Sequence, residues 1–560
     1  MTGPVPSASP ASEASAELLA GLIGSGVRDL VLAPGSRSQA LALAAMDLSR
    51  TGHLQVHVRI DERVAGFTAL GIARETGLPV AIVCTSGTAA GNLLPATMEA
   101  FHSGIPLLLL TADRPPELRG IGANQATVQQ GLFGPFVRMA TDAPVPPSAP
   151  EDGWTGLARA AVEASLGLLG DGVAGVGGPV HLNLPAREPL SAAGTAEAVP
   201  GPAPARAAAD PLVLERGPRT IVIAGADAGA GAEELSHRGG WPLIAEIVSG
   251  ARFGRLIVHG YRELLRDEAL GGRVERAVVF GHPTLSREVA ALLARADLDV
   301  VAVRGGGEEL DLNGRTTSVD AVSVADGTAD RQWLGAWMNA SAGRAIDLSA
   351  PAPDQDGLSS EDKATRLSAV RAELDAVRRR VDRGILADAV WRATWPHDRL
   401  VFGSSRLVRV ADQVLGGKKV PVHANRGLAG IDGTIATALG IALASQAAGA
   451  VGVTRVLLGD LAFLHDVGAL LLPADEPRPR IQVIVGNDGG GTIFDGLEVA
   501  ASAPVEDLDR AFYTPHGASL RELAAAYGWD FAQVTTRSAL DQALTSPVAG
   551  PQIIEVPLER

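Results

Sequence analysis

Short apolar runs recur along this chain, each followed by a glycine-bearing turn and then by a stretch with helical periodicity, and no other feature restricts the fold as strongly. In the first third the runs are DLVLA (29–33), LQVHVRI (54–60), PVAIVCT (79–85) and IPLLLLTA (105–112), with helical patterns over 13–23 and from about Gln39 and Glu62. The last third repeats the pattern with RLVFGSS (399–405), VPVHAN (420–425), VTRVLLGD (453–460) and IQVIVGND (481–488), and the middle third with TIVIAGA, RAVVFGH and LDVVAVRG. Strands too short and apolar for one solvated face, separated by helices, mean parallel sheets covered on both sides. The expectation is an α/β chain of three Rossmann-like domains. Two stretches rich in Ala, Pro and small polar residues, about 186–219 and 341–363, read as linkers and give domains at 1–190, 210–345 and 365–560.

Composition removes several classes of function. No run reaches the roughly 18 apolar residues that span a bilayer, and the opening MTGPVPSASPASEAS has neither the basic nor the apolar region of a secretory leader, so a cytoplasmic protein is expected. A formal charge of −15 argues against a nucleic-acid partner. The single cysteine, Cys84, lies in an apolar run and reads as core packing. Of 48 basic residues only Lys363, Lys418 and Lys419 are lysines, so one arginine in a motif says little by itself.

Ligands of open parallel sheets gather at the carboxyl ends of the strands. Those ends read PGSRS, RIDER, CTSGTA, TADRP, GSSRLVR, HANRG, GDLAF and GNDGGG. Asp460 closes one strand and Asn487 the next, a separation that fits one crossover and sets a carboxylate beside an amide. Hard oxygens of this kind suit Mg²⁺, with the Gly489 carbonyl as a third ligand, and the helix after Asp460 would turn its amides toward a diphosphate. The alternative is that Asp460 only caps that helix. Glu62 follows a strand whose Leu54, Val56, Val58 and Ile60 are expected to alternate inward, which brings its carboxylate to the edge of the sheet. It also fits an ordinary acid in a first helical turn.

These features together resemble the thiamine diphosphate (ThDP) dependent enzymes of the decarboxylase and acetolactate synthase type, over the full chain. PGSRS, RIDER, TSGTA, ADRPPEL, GANQAT, SSRLVR, NRGLAGIDG, GDLAFLHD and the glycine loop before Ile493 and Phe494 are more narrowly similar to the 2-succinyl-5-enolpyruvyl-6-hydroxy-3-cyclohexene-1-carboxylate (SEPHCHC) synthase family of menaquinone biosynthesis. The resemblance implies a pyrimidine-binding first domain and a diphosphate-binding third domain flanking a middle one. It makes Glu62 the catalytic acid at the aminopyrimidine nitrogen, where a buried carboxyl group can stay protonated. Ser404, Ile431, Gly459, Asp460, Leu461 and Asn487 become cofactor contacts, Ile431 holding the two rings in their bent arrangement. Asp460, Asn487 and Gly489 become ligands of Mg²⁺ or Mn²⁺. A homodimer with its sites between subunits, or a homotetramer, follows from the same resemblance.

The implied reaction decarboxylates 2-oxoglutarate and adds the four-carbon carbanion equivalent to isochorismate, a transferase step. Both substrates are dicarboxylates, which planar guanidinium groups bind in a bidentate fashion. The resemblance assigns them to Arg37, Arg114, Arg409 and Arg426 with Ser36, Asn124, Gln125, Ser405 and the wall residue Phe494. Leu461 departs from the Gly of the generic ThDP motif, and Thr492 stands where Gly or Gln is commoner. In the middle domain GADAGAG lacks the G-x-G-x-x-G spacing and reads as a sheet turn. Two rivals remain at this stage: another ThDP-dependent 2-oxoacid decarboxylase or carboligase, and a non-catalytic nucleotide-binding protein.

Overall fold

The computed structural model describes residues 9–168, 175–192, 195–205 and 209–560. The first eight residues, part of the leader argument, and residues 193–194 and 206–208 of the first linker lie outside the described residues. The first sheet contains β1 (Asp29–Leu32), β2 (Gln55–Val58), β3 (Val80–Cys84), β4 (Leu107–Asp113), β5 (Met139–Asp142) and β6 (Val180–Pro185). A strand β7 (Leu212–Leu214) precedes the middle sheet of β8 (Thr220–Ala224), β9 (Leu243–Ala245), β10 (Arg276–Phe280), β11 (Asp299–Val303) and β12 (Thr317–Val319). After β13 (Val322–Val324), which pairs with β7, the last sheet holds β14 (Arg399–Phe402), β15 (Val422–Ala424), β16 (Thr454–Gly459), β17 (Ile481–Asn487), β18 (Asp530–Gln533) and β19 (Pro551–Pro557).

The first sheet runs β2-β1-β3-β4-β6-β5 and the last runs β15-β14-β16-β17-β19-β18, the same order by position. The middle sheet, β12-β11-β10-β8-β9, shares only the start of that order. All the pairings are parallel, as buried apolar strands joined by helices require. In each sheet the strand order reverses between the first and third strands, which opens a crevice at their carboxyl ends.

Side chains decide which crevices stay open. In the middle sheet a Cβ on Gly225 would lie 2.1 Å from the Pro283 nitrogen, so GADAGAG turns closely against the neighbouring loop. In the first sheet a Cβ on Gly35 would lie 2.2 Å from the Thr85 Cβ. In the last sheet a Cβ on Gly459 would meet nothing closer than the Ser405 Cβ, at 3.5 Å.

The helices Glu62–Thr76 and Thr434–Ala447 join the first and last sheets through one apolar cluster that includes Phe67, Leu70, Ile435, Leu439 and Phe463. Residues 434–445 are buried on every side, which explains why TIATALGIALAS has no polar face. Cys84 sits fully buried in this cluster, as its apolar run implied, and burial pushes its thiol pKa up.

Two expectations fail. The inward alternation of 54–60 stops early: Leu54 and Val56 are buried, Val58 is half-buried, and Ile60 is 70% exposed. β2 ends at Val58, and the next inward position goes to Arg59, whose guanidinium pairs with Glu476 at 2.7 Å. The first linker is also not loose along its described length. Ala196 is buried in the first domain's core, the Ser9 hydroxyl donates to the Pro189 carbonyl at 2.6 Å, and 212–214 form β7.

Candidate active site

The register of β16 on β17 sets Gly459 opposite Gly486, so Asp460 and Asn487 leave adjacent strand ends side by side. Asp460 is 2% exposed and occupies the first position of the helix Asp460–His465. One carboxylate oxygen accepts from the Leu461 amide at 2.8 Å; the other accepts from the Gly490 amide at 2.8 Å and faces His516 Nε2 at 3.0 Å. A residue serving only as a cap would not reach the next strand's loop. Burial and the nearby Asp488 push its pKa up, against the hydrogen bond to His516. Asn487 Oδ1 accepts from the Gly489 amide at 3.1 Å, and its amide nitrogen donates to Glu555 at 2.7 Å, which fixes the oxygen toward the crevice side of the loop. Gly489 needs its freedom, with φ of +74°.

These groups are hard oxygen donors suited to Mg²⁺ or Mn²⁺ with a diphosphate. No group of three or more His, Cys, Asp or Glu side chains among the described residues is placed to hold a metal. A cation at Asp460 would therefore draw the rest of its shell from neutral oxygens such as those of Asn487 and Gly489, and from phosphate and water. The helix after Asp460 is only six residues long, a smaller dipole than the sequence suggested. It stops where Asp466 turns to accept the Ile435 and Ala436 amides at 2.8 and 2.9 Å, at the start of the preceding long helix, Thr434–Ala447. Thr492 is buried and hydrogen-bonded to Asp488, which also pairs with Arg383 at 2.6 Å, so the glycine loop has its own tether. Phe494 lies beyond it, edge-to-face on Phe512 at 5.4 Å.

Ser404 and Ser405 end β14 across the crevice. The Ser405 hydroxyl caps its helix through the Leu407 amide at 3.2 Å, and Ser404 Oγ accepts from Arg426 at 3.2 Å. Arg426 is 4% exposed. Its Nε donates to Thr284 Oγ1 at 2.9 Å and one Nη to the Thr284 carbonyl at 3.2 Å, yet no carboxylate among the described residues pairs with it. Burial lowers its pKa, Glu246 raises it, and Arg409 lowers it again. Arg409, exposed and without an ion-pair partner among the described residues, is pushed down by desolvation and by Arg262 and Arg287. Arg409 thus lies near enough to Arg426 to disfavour its charge, and an anion bound between them would relieve both groups. Ile431 follows on the NRGLAGIDG loop, 37% exposed.

The first-sheet candidates form a second group. Arg37 is 8% exposed and loosely held, 3.5 Å from the Ala186 carbonyl and 3.8 Å from Glu188. Ser36, exposed, accepts from the Gln39 amide through its carbonyl at 3.0 Å. Arg114 donates twice to the Asn124 carbonyl, at 3.1 and 2.9 Å. Gln125 adopts φ of +56°, donating to the Ser86 carbonyl at 2.9 Å and accepting from the Ser86 hydroxyl at 2.9 Å. Arg114 and Gln125 thus close the 114–131 loop over the TSGT turn. Glu62 starts its helix, but Asp61 is the N-cap, accepting from the Arg63 and Val64 amides at 2.8 and 3.3 Å. That leaves the Glu62 carboxylate without a hydrogen-bond partner among the described residues, facing the electrostatic surroundings of Cys84. Helix capping therefore does not account for Glu62. No hydrogen bond or ion pair among the described residues joins this group to the Arg426 group.

Sequence reasoning missed the middle domain's part. Thr284 and Glu246 support Arg426 from outside the third sheet; the strand-end position of HPTLS after RAVVFGH was the available signal. His516, 56 positions from Asp460, left no local signal.

Residues 13–132 match the family model described as the thiamine pyrophosphate enzyme, N-terminal TPP binding domain. The fold matches the crystal structure of a benzoylformate decarboxylase from Polynucleobacter necessarius with a TM-score of 0.64 and 15% identity, covering 98% of each chain. The domain match, together with the full-length relatives, makes this a thiamine diphosphate-dependent enzyme. Full-length relatives narrow the class. A 2-succinyl-5-enolpyruvyl-6-hydroxy-3-cyclohexene-1-carboxylate synthase from Leifsonia xyli subsp. xyli is 54% identical, over 98% of this chain and 97% of that protein. Proteins of the same name from Clavibacter michiganensis subsp. michiganensis and a Nocardioides species are 51% and 41% identical, over 98% and 100% of this chain and 97% of each relative. The chain belongs to the SEPHCHC synthase family, transferases of menaquinone biosynthesis.

Proposed function

We propose that this enzyme decarboxylates 2-oxoglutarate and adds the remaining four carbons to isochorismate in a 1,4-addition, releasing CO₂ and SEPHCHC. The observation that supports this reading best is the buried Arg426, which pairs with no carboxylate among the described residues and donates to Ser404 Oγ at the strand end, with Arg409 near enough to lower its pKa. A pyruvate-using carboligase has no need of such a pair. Asp460, Asn487 and the Gly489 carbonyl would hold Mg²⁺ or Mn²⁺ and through it the diphosphate, with Ser404, Gly459 and Leu461 lining the same strand ends. Bound ThDP supplies the nucleophilic carbon and the electron sink. Glu62 holds a proton at the pyrimidine nitrogen, Ile431 props the cofactor, and Arg409, Arg426 and Ser405 orient substrate carboxylates while Phe494 walls off water.

The first-domain group, Ser36, Arg37, Arg114, Asn124 and Gln125 with Glu62, completes the site when it faces the third-domain group of a second subunit. The exposed apolar Ile60, Val128, Leu428 and Leu497 at these edges support a homodimer or a dimer of dimers. No helix among the described residues is long and apolar enough to cross a membrane; a cytoplasmic location goes with this reading.

The test is turnover with ThDP, Mg²⁺, 2-oxoglutarate and isochorismate, followed by mass analysis, beside the same mixture with pyruvate. The expected product is SEPHCHC. Turnover of pyruvate but not 2-oxoglutarate would establish the rival carboligase. Glu62→Gln should keep the fold and bind ThDP while exchange of the cofactor's C2 proton slows greatly, since an amide cannot supply the acid.

A further inference from the structure

The middle sheet contributes nothing to the proposed cofactor site, and its own crevice is filled at Gly225 and Pro283. The loop that fills it continues into Thr284. The Thr284 hydroxyl accepts from Arg426 Nε at 2.9 Å while its carbonyl accepts from an Arg426 Nη at 3.2 Å, so one residue of the middle domain takes two donors on one edge of the guanidinium. Thr284 is itself held. Glu246, fully buried, accepts the Thr284 amide at 3.0 Å and the Leu285 amide at 2.7 Å, one on each carboxylate oxygen.

We propose that Thr284 is a positioning residue for the substrate-binding guanidinium of Arg426, and that Glu246 fixes Thr284 for this task. The inference rests on the reading of Arg426 as a carboxylate ligand. A guanidinium has five N–H donors in a rigid plane, and which of them face the crevice is set by those already engaged. Two donors on Thr284 and one on Ser404 Oγ, at 3.2 Å, leave the remaining edge for a bidentate carboxylate. Without the hydroxyl, Nε–H loses its acceptor and the plane can rotate, so both substrate bonds weaken together. The middle domain thereby sets substrate geometry through one hydroxyl, with no contact to the cofactor required.

The test compares Thr284→Val, Thr284→Ser and Arg426→Ala in the holoenzyme, measuring kcat and KM for 2-oxoglutarate and isochorismate separately, ThDP affinity, and C2 proton exchange. Thr284→Val keeps the shape and loses the acceptor. Removal of an uncharged partner from a buried charged donor predicts a rise of about 10-fold or more in the KM of the one substrate that Arg426→Ala also affects. ThDP affinity and C2 exchange should stay at wild-type values, and Thr284→Ser should stay within about 2-fold of wild type because it restores the hydroxyl. If Thr284→Val does not fold, Glu246→Gln serves instead: one amide group would face a backbone N–H, and the same KM should rise. Wild-type KM values in Thr284→Val, or equal loss in the Ser and Val variants, would overturn the positioning role. A silent Arg426→Ala would instead remove the reading beneath it.

Discussion

Replacing Gly71 by alanine sets two physical effects against each other. Gly71 lies inside the helix Glu62–Thr76, where alanine is favoured over glycine by about 1 kcal/mol. Helix propensity alone therefore predicts a more stable protein. The tertiary structure predicts the reverse, because a Cβ at Gly71 would lie 2.0 Å from the Thr437 carbonyl oxygen and 2.8 Å from its carbon. The obstacle is the backbone of a fully buried helix and cannot swing aside. Relief requires the two helices to part by about 1 Å, and overpacking of this kind costs roughly 1 to 3 kcal/mol or more. Gly440 makes the reciprocal approach, a Cβ there falling 2.1 Å from the Thr68 carbonyl oxygen, so the loss should repeat in Gly440→Ala. The helix that must move has Glu62 at its first turn, and a displacement of about 1 Å at a reacting group can cost roughly 100-fold in rate. Chemical denaturation of the holoenzyme measures the first effect, and C2 proton exchange with steady-state turnover measures the second. Gly335→Ala is the control: it sits in the helix Arg331–Ala342 with nothing within 4 Å of the new carbon, and should be stabilised by up to about 1 kcal/mol. A Gly71→Ala enzyme as stable and as active as wild type would refute the close-packing argument.

Three further outcomes are expected. Asp460→Ala should weaken ThDP binding in calorimetry, with partial rescue at high Mg²⁺ and ThDP; unchanged affinity would remove it from the cation site. Arg409→Ala should lower kcat/KM for one dicarboxylate by about 2 to 4 kcal/mol with cofactor affinity held, and Arg409→Lys should recover part of that, whereas near-wild-type kinetics in both would mark a surface arginine. Burial pushes the Asp466 pKa from 3.8 up to about 7, so the folded state holds this proton more tightly than the unfolded chain. Its contribution to stability is complete below about pH 4 and is lost as pH rises through about 7. Asp466→Asn should flatten that part of the stability–pH curve, and an unchanged slope in urea titrations between those limits would show that other groups set it.

The sequence alone determined the local units and their chemistry. Alternation of short apolar strands with helices fixed three parallel sheets, since such strands cannot be solvated on either face. Polar strand ends pointed to a candidate ligand edge, and the spacing of Asp460 and Asn487 placed them on neighbouring strands, as the register of β16 on β17 bears out. Tertiary structure decided what depends on partners distant in the chain. Ile60 continues an apolar alternation and is nevertheless exposed, because the strand ends at Val58 and Glu476, from the loop before β17, captures Arg59. Glu62 stands in the first turn of its helix, as the sequence indicated, and only the structure shows that the N-cap bonds go to Asp61. Thr284 drew no notice in the sequence, yet two bonds from Arg426 tie it to the candidate site. Local pattern records which face of an element is buried; it does not record which distant backbone or guanidinium fills the remaining space, and that is where the geometry of this site is set.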